Sequence, residues 1–261
     1  MQYVTLGNTG LTVSRLAIGT GTSGFGGRSE QSAMGVDGLA RLLQEGYERG
    51  ITFWDAADGY GTHPHLARAL KAVPREHVVI ATKTMSRSKK DASKDVDRFR
   101  REMGTDVLDI VLMHFVTTPD WERSYAGAME ALSRAKERGS VRAVGISSHN
   151  LGALRRAVTS DWVDVVLARI NYAGTNMDAE TERVVPVLRE LYDAGKAVYG
   201  MKVLGRGSLA SHARQAIDFV LGLGTVEAIT IGTTTQAQLI ENIQLVEDLA
   251  PQHPLKARIA Q

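Results

Sequence analysis

The chain has 261 residues, of which 43% are hydrophobic and 23% charged, enough apolar material for a sizeable buried core. Its 31 basic and 29 acidic residues are spread along the chain and leave a formal net charge of +2. That balance gives no reason to expect nucleic acid or an anionic membrane as a partner. There is no cysteine, which excludes disulfides, thiolate nucleophiles, iron–sulfur clusters and thiolate zinc sites.

In chain order, YVTLGNTGLTVS reads as two short strands around a GNTG turn, a hairpin placed outside the main sheet and across its N-terminal end. Eight short apolar runs follow: RLAIG (15–19), ITFWD (51–55), VVIATK (78–83), LDIVLMH (108–114), RAVGIS (142–147), VDVVLARI (163–170), AVYGMK (197–202) and EAITIG (227–232). Each is nearly continuous in apolar residues, the mark of a strand buried on both faces of a parallel sheet. Helix-like stretches of ten or more residues separate them, among them 121–138, 180–194 and 236–249. Eight strand–helix repeats predict a closed α/β (β/α)8 TIM barrel, read as one domain over 1–261 with the hairpin across the bottom. No stretch approaches the roughly 20 apolar residues of a spanning helix. The start, MQYVTLGNTG, is too polar for a signal peptide, so a cytoplasmic location is expected.

A barrel concentrates chemistry at the C-terminal ends of its strands. Asp55 ends the second run, Lys83 the third and His114 the fourth, while Tyr60 lies in the loop after the second. Each alone reads as a wetted rim residue. Together, from consecutive strands, they read as one site.

WDAADGYG (54–61), ATK (81–83) and LDIVLMH (108–114) resemble the three signature segments of the aldo-keto reductases, with Asp, Tyr, Lys and His in that family's order. LGNTGLTVSRLAIGT, VRAVGISSHN, GMKVLGRG and IGTTTQAQLIEN extend the resemblance over almost the whole chain. It implies reduction of an aldehyde or ketone, or the reverse oxidation. Asp55, Tyr60, Lys83 and His114 would be catalytic, and hydride would come from a nicotinamide cofactor, which no side chain can replace. A neighbouring ammonium lowers a phenol's pKa, so Lys83, held by Asp55, is expected to tune Tyr60 as proton donor. His114 would help to stabilise the oxygen that becomes negative. Two alternatives are a nucleotide-sensing regulatory barrel and an isomerase or aldolase using Lys83. In the second, Tyr60 and His114 would have no task.

The implied cofactor site comprises Gly19, Thr20, Gly21, Asp55, Ser147, Ser148, Arg169, Met201, Lys202, Val203, Leu204, Gly205, Arg206, Gly232, Thr233, Thr234, Gln238, Glu241 and Asn242. Ser148 stands where the family has Asn, Arg169 where it has Gln, and Met201 where an aromatic often stacks. Thr233 and Gln238 replace the Lys and Arg that hold the NADP 2′-phosphate in many relatives, leaving Lys202 and Arg206 to supply charge. NADP(H) is the expected cofactor, with NAD(H) the alternative. Tyr60, His114 and Trp121 are expected to line the pocket for a small carbonyl substrate. His63 and His65, in HPH, suggest at most a metal pair without a third ligand, and solvated surface is the simpler expectation. Trp54 alternates with Asp55 and should face the helices. The polar tail 250–261 is too short to close over the site as longer relatives' tails do.

Overall fold

In the computed structural model, which describes residues 1–258, all eight apolar runs form strands. β1 (Tyr3–Leu6) and β2 (Leu11–Ser14) make a separate antiparallel hairpin. β3 (Leu16–Gly19), β4 (Phe53–Asp55), β5 (Val79–Thr84), β6 (Leu108–Val116), β7 (Val141–Ser148), β8 (Val165–Arg169), β9 (Ala197–Met201) and β10 (Ala228–Gly232) pair in parallel, and β10 closes on β3. The expected (β/α)8 barrel with its extra hairpin is therefore present.

Helices cover the barrel: α1 (Val36–Glu48), α2 (His63–Ala69), α3 (Lys89–Met103), α4 (Trp121–Ser124), α5 (Ala126–Glu137), α6 (Leu151–Val158), α7 (Thr181–Asp193), α8 (Ala213–Gly222) and α9 (Gln236–Leu249). The stretch 121–138, expected as one helix, is broken at Tyr125. The Ala128 amide donates to the carbonyl of Arg87 at 2.9 Å instead of continuing the helical ladder. Gly127 permits that approach, since a Cβ there would stand 2.7 Å from the Lys89 nitrogen.

Side-chain alternation divides the core in two. Ala17, Phe53, Ala81, Ile110, Leu112, Ala143, Val165, Leu167, Ala197, Tyr199 and Ala228 point into the barrel. Their neighbours Ile18, Trp54, Ile80, Val111, Val144, Val166, Val198 and Ile229 pack under the helices, Trp54 as expected.

The barrel's lower end is plugged by Leu6, Leu11 and Val13 of the hairpin. Gly7, with φ +48°, sits at the tip, and its amide donates to the buried carboxylate of Glu227 at 2.9 Å. Residues 250–258 also run along this end: the wholly buried Arg15 donates to the His253 carbonyl, and Arg258 pairs with Glu227 at 2.6 Å. Residues 250–258 thus cover the bottom of the barrel. Residues 259–261 of the tail lie outside the described residues.

A Cβ at Gly7 would fall 2.4 Å from the Ala197 nitrogen and would demand a left-handed backbone from an L side chain. Gly7→Ala should therefore cost at least about 2 kcal/mol, which for a chain of this size is a fall of about 4–8 °C in Tm. Thermal denaturation measures this, and an unchanged Tm would show that the hairpin tip does not dock against β9.

Candidate functional site

The same alternation that fills the barrel aims its last polar side chains at the mouth. Asp55 stands two residues beyond Phe53, Lys83 two beyond Ala81 and His114 two beyond Leu112, so all three share the inward face. Lys83 is wholly buried and donates to Asp55 Oδ1 at 2.8 Å and to the Ala56 carbonyl at 2.7 Å. Lys83 Nζ also lies 5.1 Å from the Tyr60 ring centroid, where its charge acts on the phenol. Tyr60 ends a short helical turn, Asp58–Tyr60, and its hydroxyl comes within 3.4 Å of His114 Nε2. The ring lies in a slot made by two glycines: a Cβ on Gly21 would meet it at 2.2 Å and one on Gly24 at 2.3 Å.

Enclosure pushes the Tyr60 phenol above its ordinary value, with Lys83 pulling it down and Asp55 adding to the rise. The ammonium of Lys83 acts in the direction expected of it, against the larger effect of burial. Burial also works against the charge on Lys83, yet Asp55 and Tyr60 together outweigh it, and its pKa is raised. His114 is pushed well below the usual imidazole range by burial and then by Lys83, His149 and Lys202, so it is neutral. Two neutral donors, a phenol and an imidazole, thus converge beside a fixed positive charge. An oxygen placed between them would meet donors from two sides, the arrangement that stabilises a developing alkoxide.

A groove leads away from Tyr60 across the ends of β3, β10 and β9 to α9. Of the residues expected to bind the nucleotide, Gly19, Gly21, Asp55, Met201, Lys202, Val203, Leu204, Arg206, Gly232, Thr234, Gln238, Glu241 and Asn242 line it. Gly205 is buried just behind, with φ +54°, and Lys202 and Arg206 both have φ +61°, which makes the sharp turn of this loop. Ser147 keeps the inward parity, and its buried hydroxyl has no protein partner. Thr22, Gln31, Leu167 and Thr230 also line the groove or tie its edge, and sequence reading missed them. Strand parity was the signal for two of these: Leu167 follows Val165 and Thr230 follows Ala228 on the inward face. Thr230 Oγ1 is buried without a partner.

Three further expected residues, Thr20, Ser148 and Thr233, do not line the groove. Thr20, one residue past the inward Gly19, bonds the Asp55 carbonyl at 3.0 Å and Thr62 Oγ1 at 2.8 Å. Ser148 faces outward, and its hydroxyl donates to the Asn150 carbonyl at 3.0 Å. Thr233 is buried, and its carbonyl accepts from Gln31. Arg169 does point inward, but its guanidinium is committed to Asp178 at 3.2 Å and to His149. Burial, with Arg169 opposing, lifts Asp178 to about 6, while burial and Arg169 push His149 down to about 3.

Two further expectations are corrected. Trp121 does not line the pocket: it starts α4, is wholly buried, donates to the Ala153 carbonyl at 3.3 Å and packs on Trp162. His63 and His65 are buried, not solvated. His63 bridges Thr82 Oγ1 at 2.8 Å and Glu102 at 2.7 Å under the Phe99 ring. Among the described residues no group of three or more metal-ligating side chains is assembled.

Comparison with known proteins agrees with this geometry. Residues 17–252 match the model of the aldo/keto reductase family. The chain is 29% identical over 248 residues to the probable aldo-keto reductase 1 of Glycine max, covering 91% of this chain and 66% of that protein. It is 24% identical to the NADH-specific methylglyoxal reductase of Escherichia coli strain K12, covering 73% of this chain and 64% of that one. It thus spans slightly less than two thirds of the length of each. An aldo-keto reductase from Bacillus halodurans, in its holo form, superposes with a TM-score of 0.77 over 100% of this chain and 98% of its own, at 21% identity. The chain belongs to the aldo/keto reductase family.

Removing the ammonium should leave burial unopposed at the phenol. Lys83→Met is expected to move the Tyr60 titration to still higher pH, measured as ultraviolet phenolate absorbance against a Tyr60→Phe blank. An unmoved titration would show that Lys83 exerts no pull on Tyr60.

Proposed function

We propose that the protein transfers hydride between a nicotinamide nucleotide in the groove and the carbonyl carbon of a small substrate at the mouth, reducing an aldehyde or ketone or running the reverse. The observation that carries this is the convergence of Tyr60 and neutral His114 on one point, beside Lys83 and at the inner end of the groove. The groove fits a nucleotide: Ser147 Oγ and Thr230 Oγ1 are buried and lack protein partners, as groups awaiting a polar ligand would. Ser147 would hold the carboxamide end, the 202–207 loop the phosphates, and Asn242 with Glu241 the adenosine end. The cofactor supplies or accepts the hydride.

The protein's own part is the proton and the charge. Tyr60 gives a proton to the carbonyl oxygen in reduction and takes it back in oxidation. His114, kept neutral by its surroundings, donates a hydrogen bond to that oxygen without titrating near neutral pH. Lys83 offsets the negative charge left on the phenolate, and Asp55 keeps Lys83 in place. The open mouth, with Phe115 half-exposed beside His149 at a ring separation of 4.3 Å, suits small carbonyl compounds and aldoses. Incubation with NADPH or NADH and a panel of aldehydes, 2-oxoaldehydes, ketones and sugars tests the reaction. Failure to turn over any of them with either nucleotide would count against it.

Tyr60→Phe keeps the ring in its glycine slot and removes only the proton. It should slow reduction by about 10²-fold or more and leave the Kd for reduced nucleotide nearly unchanged. Near-wild-type turnover would reassign the proton donor.

NADP(H) is the proposed cofactor, with only a modest preference over NAD(H). The exposed Arg206 and the half-buried Lys202 are the cations lining the groove's outer part, and Glu241 lines it too. A charge-assisted contact contributes roughly 1.5–3 kcal/mol, about one to two powers of ten in affinity. The ratio of dissociation constants should therefore stay within about a hundredfold, and Arg206→Ala should narrow it. Since Thr234 and Gln238 line the groove and Thr233 does not, Thr234→Lys with Gln238→Arg is the pair that should widen the ratio, less so at high salt. A wild-type ratio far above a hundredfold would place the phosphate on other cations.

A further inference from the structure

The proton arrangement does not stop at Asp55. Tyr199, on β9, reaches across the barrel interior and donates its hydroxyl to Asp55 Oδ1 at 2.9 Å, the same oxygen that accepts from Lys83 at 2.8 Å. It is wholly buried, with its ring tilted against Phe53 at 5.2 Å. Its position lies between the inward-facing Ala197 and Met201, in a layer otherwise filled by apolar side chains. Packing alone asks for no hydroxyl there. Burial and the Asp55 charge hold the Tyr199 phenol well above its ordinary value, so it is a permanent donor.

The titratable groups facing Asp55 come from three elements: Lys83 on β5, Tyr60 in the turn after β4, and Tyr199 on β9. Lys202, just past β9, acts at longer range. Tyr60 in turn faces Lys83, Asp55 and His114. Lys83 donates to Asp55 and to the Ala56 carbonyl, and its charge also acts on the Tyr60 phenol beside it. How the ammonium's charge divides between Asp55 and Tyr60 therefore depends on what else Asp55 accepts.

We propose that Tyr199 is a positioning residue for proton transfer at Tyr60: by occupying Asp55 Oδ1 it withholds part of that carboxylate from Lys83 and leaves more of the ammonium's charge for the Tyr60 oxygen. This rests on Tyr60 being the proton donor. Tyr199 touches no reacting atom and acts through Asp55 and Lys83.

Without the hydroxyl, Asp55 draws Lys83 closer, the ammonium is better neutralised, and Tyr60 becomes a weaker acid. A stronger donor at the same place does the reverse. Tyr199→Phe should move the Tyr60 titration to higher pH by about half a unit to one unit, about three- to tenfold in the proton equilibrium. 3,5-Difluorotyrosine at 199, whose hydroxyl is the more acidic, should move it to lower pH. In Asp55→Asn the fluorinated residue should have no effect, because the connection to Lys83 is broken. The signs carry into catalysis. Reduction needs the protonated phenol and falls as pH rises through its pKa, whereas oxidation needs the phenolate and rises. Both limbs should move up with Tyr199→Phe and down with the fluorinated residue, with the Kd for nucleotide unchanged.

The experiment is a phenolate absorbance titration of the intact chain with a Tyr60→Phe blank, followed by pH profiles of kcat in both directions. Opposite displacements by the two substitutions support the proposal. Equal titrations in all three proteins, or displacements in the same direction, overturn it and leave Tyr199 as a space-filling residue. If Tyr199→Phe does not fold, the fluorinated residue, which keeps the ring and its hydrogen bond, carries the test. The absorbance titration needs no substrate. Expected displacements in a protein that reduces no carbonyl would therefore uphold the Tyr199 coupling and reject the catalytic reading separately.

Discussion

The mouth of this barrel is organised around one buried charge. Lys83 has no exposed surface, and taking an ammonium out of water costs on the order of several kcal/mol unless its protons and its charge are met. They are met by a carboxylate from the neighbouring strand and a backbone carbonyl one residue beyond it, with the Tyr60 phenol beside the charge. Each partner requires something in turn. Asp55 must end β4 on the inward face, Ala56 must turn its carbonyl back towards the barrel, and Tyr60 must lie flat enough to reach. The third demand explains Gly21 and Gly24, since any side chain at either would overlap the ring. Gly21 and Gly24 thus make the seat of a phenol.

That constraint made the catalytic face legible and the groove only partly so. Residues two apart on a strand share a face, and Phe53–Asp55, Ala81–Lys83 and Leu112–His114 follow that rule without exception. Parity also turns Ser148 away, which resemblance alone placed at the nucleotide, and it selects Leu167, Thr230 and Tyr199, which resemblance alone passed over. Motif matching reports which residue types stand near a site. Side-chain direction reports which of them reach it. Past a strand's last paired residue the rule ends: Lys202 follows Met201 yet lines the groove, because its backbone turns left-handed there.

What stayed hidden depended on contacts far along the chain. His63 looks solvated beside Pro64 and His65, but α2 packs on α3, and Glu102 and Thr82 satisfy both imidazole nitrogens. Trp121 follows a strand end, as a pocket residue should, but α4 turns it under the helical layer onto Trp162. Both errors came from judging a side chain by its local neighbours. The α4–α5 break has the same origin, since the amide that leaves the helix does so to bond the Arg87 carbonyl, some forty residues earlier.

The two ends of the barrel show how stability and chemistry are kept apart. At the bottom, Glu227 collects the Gly7 and Val198 amides and the Arg258 guanidinium, binding hairpin, barrel and tail together around one carboxylate. At the top, Asp55 collects Lys83 and Tyr199 and leaves the Thr20 bonds to its own backbone carbonyl. Both are buried carboxylates that accept several donors, but they differ in what lies beyond the donors. Among the described residues the donors of Glu227 lead to backbone and, through Arg258, to the Tyr192 ring at 3.9 Å, away from the groove, so its hydrogen bonds tie hairpin, barrel and tail together. Beyond Lys83 lies a phenol that opens on the groove, so any change in the bonding at Asp55 reaches a proton that can leave. Residues 250–258 reinforce the division by running under the barrel, where they add contacts at the end that carries Glu227.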